Sequence, residues 1–142
     1  MKLPPWRKDR PNAGMDASMF AEIVSFTPTI LVGALAVVFL VAGVINMSGR
    51  GTVKADFARW GFPAGFHLVC GGLELVGAAL LLVPSTRILG LALLGAIMAG
   101  AIVSLLRYRE PASHLAPAFG LAILVLAAVA LSAGGFSPLH NS

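Results

Sequence analysis

Residues 62–106 read FPAGFHLVCGGLELVGAALLLV-PSTR-ILGLALLGAIMAGAIVSLL, two long apolar runs separated by a single turn. The first run, Phe62 to Val83, carries one acid, Glu74, and one imidazole, His67; the second, Ile88 to Leu106, carries no charge. Crossing the hydrocarbon core of a bilayer takes about 20 residues of helix at 1.5 Å each. No water is present there to bond loose N–H and C=O groups, so such a segment has to be helical. Pro84-Ser85-Thr86-Arg87 leaves room only for a tight reversal, and the pair reads as a helical hairpin.

Outward from this hairpin the pattern repeats. Thr27–Met47 and Leu115–Ala133 are uncharged and similarly rich in Leu, Ala and Val. The expected fold is therefore all-α: an integral membrane four-helix bundle, with antiparallel transmembrane helices at about 27–47, 62–83, 88–106 and 115–133. The first span exceeds the 7–15 apolar residues of a signal-peptide core, so it reads as retained. The link Ser48–Gly61 mixes Arg50, Lys54, Asp56 and Arg59 with Phe57 and Trp60, a composition suited to a short helix in the headgroup zone. Arg107-Tyr108-Arg109-Glu110-Pro111 closes the third span, Ser113 is a candidate cap for the fourth, and Pro117 is tolerated in its first turn. Residues 1–26 read as a tail, disordered to about Ala13 and then a short interfacial helix over Asp16–Phe26; 134–142 read as a C-terminal tail. Met15-Asp16 offers an alternative start to Met1.

Composition agrees with lipid as the solvent. Hydrophobic residues make up 58% of 142 positions and charged residues 11%, with a mean hydropathy of +0.90. Soluble domains carry about a quarter charged residues. The net charge of +4 is spread over the ends of apolar segments, without the basic patch and interleaved aromatics of a nucleic-acid binder. With both termini on one side, that side holds Lys2, Arg7, Lys8, Arg10 and Arg87, and the other holds Arg50, Lys54, Arg59, Arg107 and Arg109. The tail cations lie at the edge of the range over which the bias acts. Discounting them places both termini on the non-cytoplasmic side of the cell membrane.

Glu74 is the residue most out of place. An acid inside a span costs a few kcal/mol (about 3 on insertion scales) and usually faces the bundle interior, a partner or a water-filled cavity. Helical spacing puts His67, Cys70, Gly71, Glu74 and Ala78 on one stripe. Small residues on that stripe let a neighbouring backbone approach. Ala92, Ala96, Gly100 and Ser104 form a small-residue ridge on the next span that offers a surface matching this face; if the bundle answers only to packing, Gly100→Leu breaks the fold and Glu74→Gln is silent. Glu74 then has three candidate hydrogen-bond partners: Ser104, Asn46 and His67. Set beside a functional role is the plainer reading that Glu74 is neutral and fixes helix register, His67 is interfacial, and Cys70 is a small hydrophobe. No metal-ligand spacing joins His67, His114 and His140, and the single cysteine excludes a CxxC pair. No nucleophile elbow, phosphate loop or dinucleotide fingerprint is present, so no catalytic constellation, metal site or cofactor is evident.

Gly43-Val44-Ile45-Asn46-Met47 resembles the G-x-x-K-[LM] ending of the first span in DoxX-like membrane proteins. Phe57-Ala58-Arg59-Trp60-Gly61-Phe62-Pro63 is similar to their F-x-x-x-G-[LF]-P link, and Gly71-Gly72-Leu73-Glu74-Leu75-Val76-Gly77 to their G-x-x-E-[LV]-x-G run. Met98-Ala99-Gly100-Ala101 suits their small-rich third span, and the likeness extends over about residues 27–133. The resemblance implies a four-helix bundle in a bacterial or archaeal cell membrane, associated with membrane oxidoreductase systems such as thiosulfate:quinone oxidoreductase. Quinone enters as a cofactor only by that implication. Asn46 stands where many members have Lys; if that Lys pairs with the glutamate, the pairing is lost here.

Three readings follow. The first is an accessory subunit that docks a membrane redox partner protein or a quinone. The second is a small transporter with Glu74 as its titrating group, and the third a structural bundle with no chemistry of its own. Small-residue ridges also suit a homo-oligomer.

Overall fold

A computed structural model describes residues 11–134. They are helical nearly throughout: α1 (Pro11–Ser48), α2 (Val53–Arg59), α3 (Phe66–Leu82), α4 (Arg87–Arg107) and α5 (Ala112–Gly134). Three segments are long and apolar enough to cross a membrane, Ser25–Ser48, Pro84–Arg107 and Ala112–Ala133, with hydropathies of 2.6, 2.4 and 2.4. α3 is apolar but shorter, at 17 residues. α1 packs on α3, α3 on α4, α4 on α5, and α5 back on α1.

Two boundaries differ from the sequence expectation. Asp16–Phe26 is not a separate surface helix; it continues into the first span as one helix that runs through Pro28. Proline removes one backbone donor inside a helix. Just before it, Thr27 Oγ1 donates to the Ile23 carbonyl (2.8 Å) and Ser25 Oγ to that of Glu22 (2.7 Å). The helix of the second apolar run begins at Phe66 rather than Phe62, because Gly65 sits at φ +84° and breaks the helical path ahead of it. The tails 1–10 and 135–142 lie outside the described residues.

The link between α1 and α3 shows why its sequence folds as it does. α2 has Asp56 in its first turn and Arg59 in its last, each matched to the helix dipole. It ends in a Schellman motif: Phe62 N–H donates to the Phe57 carbonyl (3.0 Å) and Gly61 N–H to that of Ala58 (3.0 Å). Gly61, at φ +72°, supplies the left-handed residue this closure requires. The Phe57 and Phe62 rings, 5.7 Å apart, make its usual apolar contact. α4 closes in the same way, with Glu110 N–H on Leu105 (3.0 Å) and Arg109 N–H on Leu106 (3.2 Å), but with Arg109 in the left-handed position (φ 52°). At the opposite end of the hairpin, α3's loose carbonyls are met by side chains: Thr86 Oγ1 donates to Leu80 (3.0 Å) and Arg87 Nε reaches Leu81 (3.5 Å). At the start of α5, Pro111 precedes the helix and its carbonyl accepts from His114 N–H (2.9 Å), so Ser113 lies inside the first turn rather than capping it.

The core joins Leu35 and Phe39 of α1, Ala78 and Leu81 of α3, Leu91 and Leu94 of α4, and Val125 and Ala128 of α5. Phe39, Leu81, Leu94 and Ala128 are fully buried. Many large apolar side chains stay exposed, among them Val37, Val41, Leu89, Val103, Ile123 and Leu126. A water-soluble monomer rarely shows so much contiguous apolar surface; in lipid it is the ordinary outer wall.

Candidate functional site

Glu74 lies on the inner face of α3 and is 4% exposed. Its environment is set by glycine. A Cβ on Gly43 would stand 2.9 Å from the Gly71 carbonyl oxygen, and one on Gly71 only 2.7 Å from the Gly43 carbonyl oxygen and 2.8 Å from the Met47 nitrogen. Real Cβ atoms do not approach backbone so closely, so α1 and α3 touch main chain to main chain through this glycine pair. One helical turn beyond each glycine stand Asn46 and Glu74, and Asn46 Nδ2 donates to Glu74 Oε2 at 2.7 Å. The next crossing is built alike. Gly77 and Gly90 bring α3 against α4, with Leu94 packed over Gly77.

Of the three expected partners of Glu74, the structure joins it to Asn46. Ser104 Oγ instead donates to the Gly100 carbonyl of its own helix (2.9 Å). His67 is buried at 7% exposure, with its ring 6.2 Å from that of Phe57. Gly71 and Ala78 are buried at helix contacts, and Cys70 is half-buried. The ridge Ala92–Ala96–Gly100 is a correction: all three residues are exposed, and a Cβ at Gly100 would meet nothing within 4 Å. α4 turns Gly90, Leu91, Leu94 and Met98 inward instead. Gly100 is thus not a contact of the described helices, and a methyl group there meets no neighbour within the chain.

A second polar cluster was not anticipated. Glu110, in the turn between α4 and α5, has a side chain only 7% exposed. Trp60 Nε1 donates to its Oε1 (2.9 Å), Arg59 pairs with the same oxygen (2.7 Å), and His114 Nδ1 donates to Oε2 (2.9 Å). Arg59 also pairs with Asp56 (3.0 Å). The Trp60 hydrogen bond, followed by those of His114 and the Arg59 charge, holds the Glu110 carboxyl below the usual carboxylate range against the opposing effect of burial. The cluster latches the α2 link to the α4–α5 turn. Glu110 and His114 at helical i, i+4 spacing were the one sequence signal for it. Among the described residues no group of three or more His, Cys, Asp or Glu is placed to hold a metal ion.

This arrangement of apolar helices around one glycine-seated acid belongs to a small membrane protein. Residues 30–132 match the DoxX-like family, and the chain belongs to that family. No curated protein and no solved structure matches the chain significantly.

Proposed function

We propose that the protein is a non-catalytic, multi-pass subunit of the cell membrane, and that it holds a redox partner protein of a quinone-linked system. In this reading α1, α3, α4 and α5 cross antiparallel. Arg50, Lys54, Arg59, Arg107 and Arg109 gather at the cytoplasmic face, leaving both termini on the other side. The observation that carries the reading is the Asn46–Glu74 bond. An intramembrane acid engaged by the neighbouring helix locks that helix in place, and the outer surface remains for other contacts. On that surface the exposed ridge Ala92–Ala96–Gly100 lets a partner helix come close, as small residues do in lipid. The redox connection rests on family analogy alone, which transfers fold more securely than activity.

The test is a mild-detergent pull-down of the tagged protein from its own membranes, wild type beside Gly100→Leu, read by mass spectrometry. Gly100 is exposed and a Cβ there has open space, so the variant is expected to keep its fold, which its melting temperature checks. A stoichiometric redox protein recovered with wild type and lost with Gly100→Leu is the expected result. Recovery of the bare protein, or only of further copies of itself, from both samples rejects the reading. Proton flux by the purified protein in liposomes, abolished by Glu74→Gln, would replace it with a permeation path.

A further inference from the structure

Beneath α2, at the end of α1 and the start of α3, lies a cavity of about 210 Å³ whose walls include Lys54, Phe57, Phe62, Pro63, Gly65 and His67. His67 is more than nine-tenths buried. Among the described residues its imidazole makes no hydrogen bond, yet no fully sealed side-chain nitrogen or oxygen there lacks a partner. Its ring nitrogens therefore keep an opening, and the cavity provides one. An imidazole placed in this way has a donor and an acceptor to offer.

Lys54 reaches the same spot from outside. Gly49 adopts φ +56°, and a Cβ there would stand 2.5 Å from Lys54 Cε and 3.0 Å from His67 Nε2. Glycine thus lets the lysine stem and the imidazole converge over the end of α1. Lys54 makes no ion pair among the described residues. Both acids near the link are engaged by Arg59 instead, Asp56 at 3.0 Å and Glu110 at 2.7 Å. The cavity walls carry an ammonium and an imidazole with no carboxylate, so they select for an anion.

Size and depth narrow the choice. Pockets that enclose a whole small molecule run to about 300–1,000 Å³, so this one has room for a head group while the rest of its owner stays outside. The aromatic walls, with Trp60 and Arg59 beside them, sit at the level where such residues meet lipid head groups. We propose that this cavity binds the phosphate of an anionic phospholipid, with Lys54 as the paired charge and His67 donating to a second oxygen. Phe57 and Phe62 then border the glycerol and the first carbons of the chains. The site stands independently of the redox reading.

Native mass spectrometry of the full chain in detergent tests it, with phosphatidylglycerol and phosphatidylcholine of identical chains as probes. Wild type is expected to favour phosphatidylglycerol, and Lys54→Gln to lose about five-fold in that preference, the scale set by one basic residue near an anionic head group. His67→Gln is expected to weaken binding of phosphatidylglycerol, with its melting curve recorded alongside because the residue is buried. Arg50→Gln, an exposed cation outside the cavity walls, should change nothing. Equal binding of the two lipids, or a preference that survives Lys54→Gln, overturns the proposal. So does displacement of the lipid by millimolar inorganic phosphate, which would make the ligand a soluble phosphate. Binding of a short-chain quinone with the same dependence on Lys54 and His67, without selection for phosphatidylglycerol, also overturns it.

Discussion

An amide that donates to a buried carboxyl group contributes less in lipid than its 2.7 Å geometry suggests. Interhelical hydrogen bonds in membranes average about 0.6 kcal/mol, because the separated helices find other partners. Leaving a buried polar group unpaired costs about 1–3 kcal/mol. Asn46→Ala is therefore expected to destabilise the protein by about 1–2 kcal/mol, chiefly by orphaning Glu74. Glu74→Gln retains an acceptor oxygen and should cost less than about 1 kcal/mol. Unfolding in mixed micelles distinguishes the two, and a larger loss for Glu74→Gln would mean that the acid itself matters. Glycine sets the harsher limit. Gly71→Ala forces a methyl against the α1 backbone, where overpacking typically costs about 1–3 kcal/mol. Gly72→Ala enters open space and should gain up to about 1 kcal/mol of helix propensity; equal effects in the same unfolding assay would contradict the main-chain contact. Glu74 was legible in the sequence because an acid in an apolar run is an anomaly whatever the fold. Glu110 was not, since an acid between Arg109 and Pro111 reads as solvated, and its burial depends on Trp60 from a distant link.

The link α2 and the α4–α5 turn act as one unit through Glu110, and the unit has a defined response to acid. The folded carboxyl titrates below the ordinary carboxylate value. Its contribution is thus complete above that ordinary value and disappears as pH falls through the lower, folded one. Acidification should release the latch before it disturbs the apolar core, and Glu110→Gln should remove this pH dependence while leaving the rest of the unfolding curve in place. Fluorescence of Trp60 in a Trp6→Phe background reports it; an identical acid limb in wild type and Glu110→Gln would exclude the latch. Helix identity and order follow directly from the apolar runs, and the F-x-x-x-G-F-P stretch is explained by one Schellman closure. The facing of α4 could not be read in the same way. In water the polar side of a helix marks its outside, but a helix apolar all round carries no such mark. The ridge Ala92–Ala96–Gly100 therefore looked like an inner face, whereas Gly90 and Leu94 occupy that place.

At the scale of the whole molecule, three apolar segments of 22 to 24 residues stand beside α3 with only 17. The long segments approach 35 Å at 1.5 Å per residue, and α3 reaches about 25 Å. Its ends are fixed by Gly65 and by the Pro84–Thr86 turn, so it cannot lengthen by recruiting neighbours. A hydrocarbon layer of about 30 Å then meets a protein whose sides differ in height. The long helices can tilt, but an α3 that crosses beside them, as proposed above, is matched only where the bilayer itself yields, and each ångström of mismatch costs a fraction of a kcal/mol. Reconstituted in phosphatidylcholines of graded chain length, the protein should melt highest in the thinner bilayers, about 14–16 carbons per chain, and lose stability steadily toward 20 or more. A melting temperature indifferent to chain length would mean that α3 does not bear on the lipid. If the dependence holds, the annulus of lipid beside α3 is dimpled, and the protein drifts toward regions of membrane, or toward companions, that relieve the dimple.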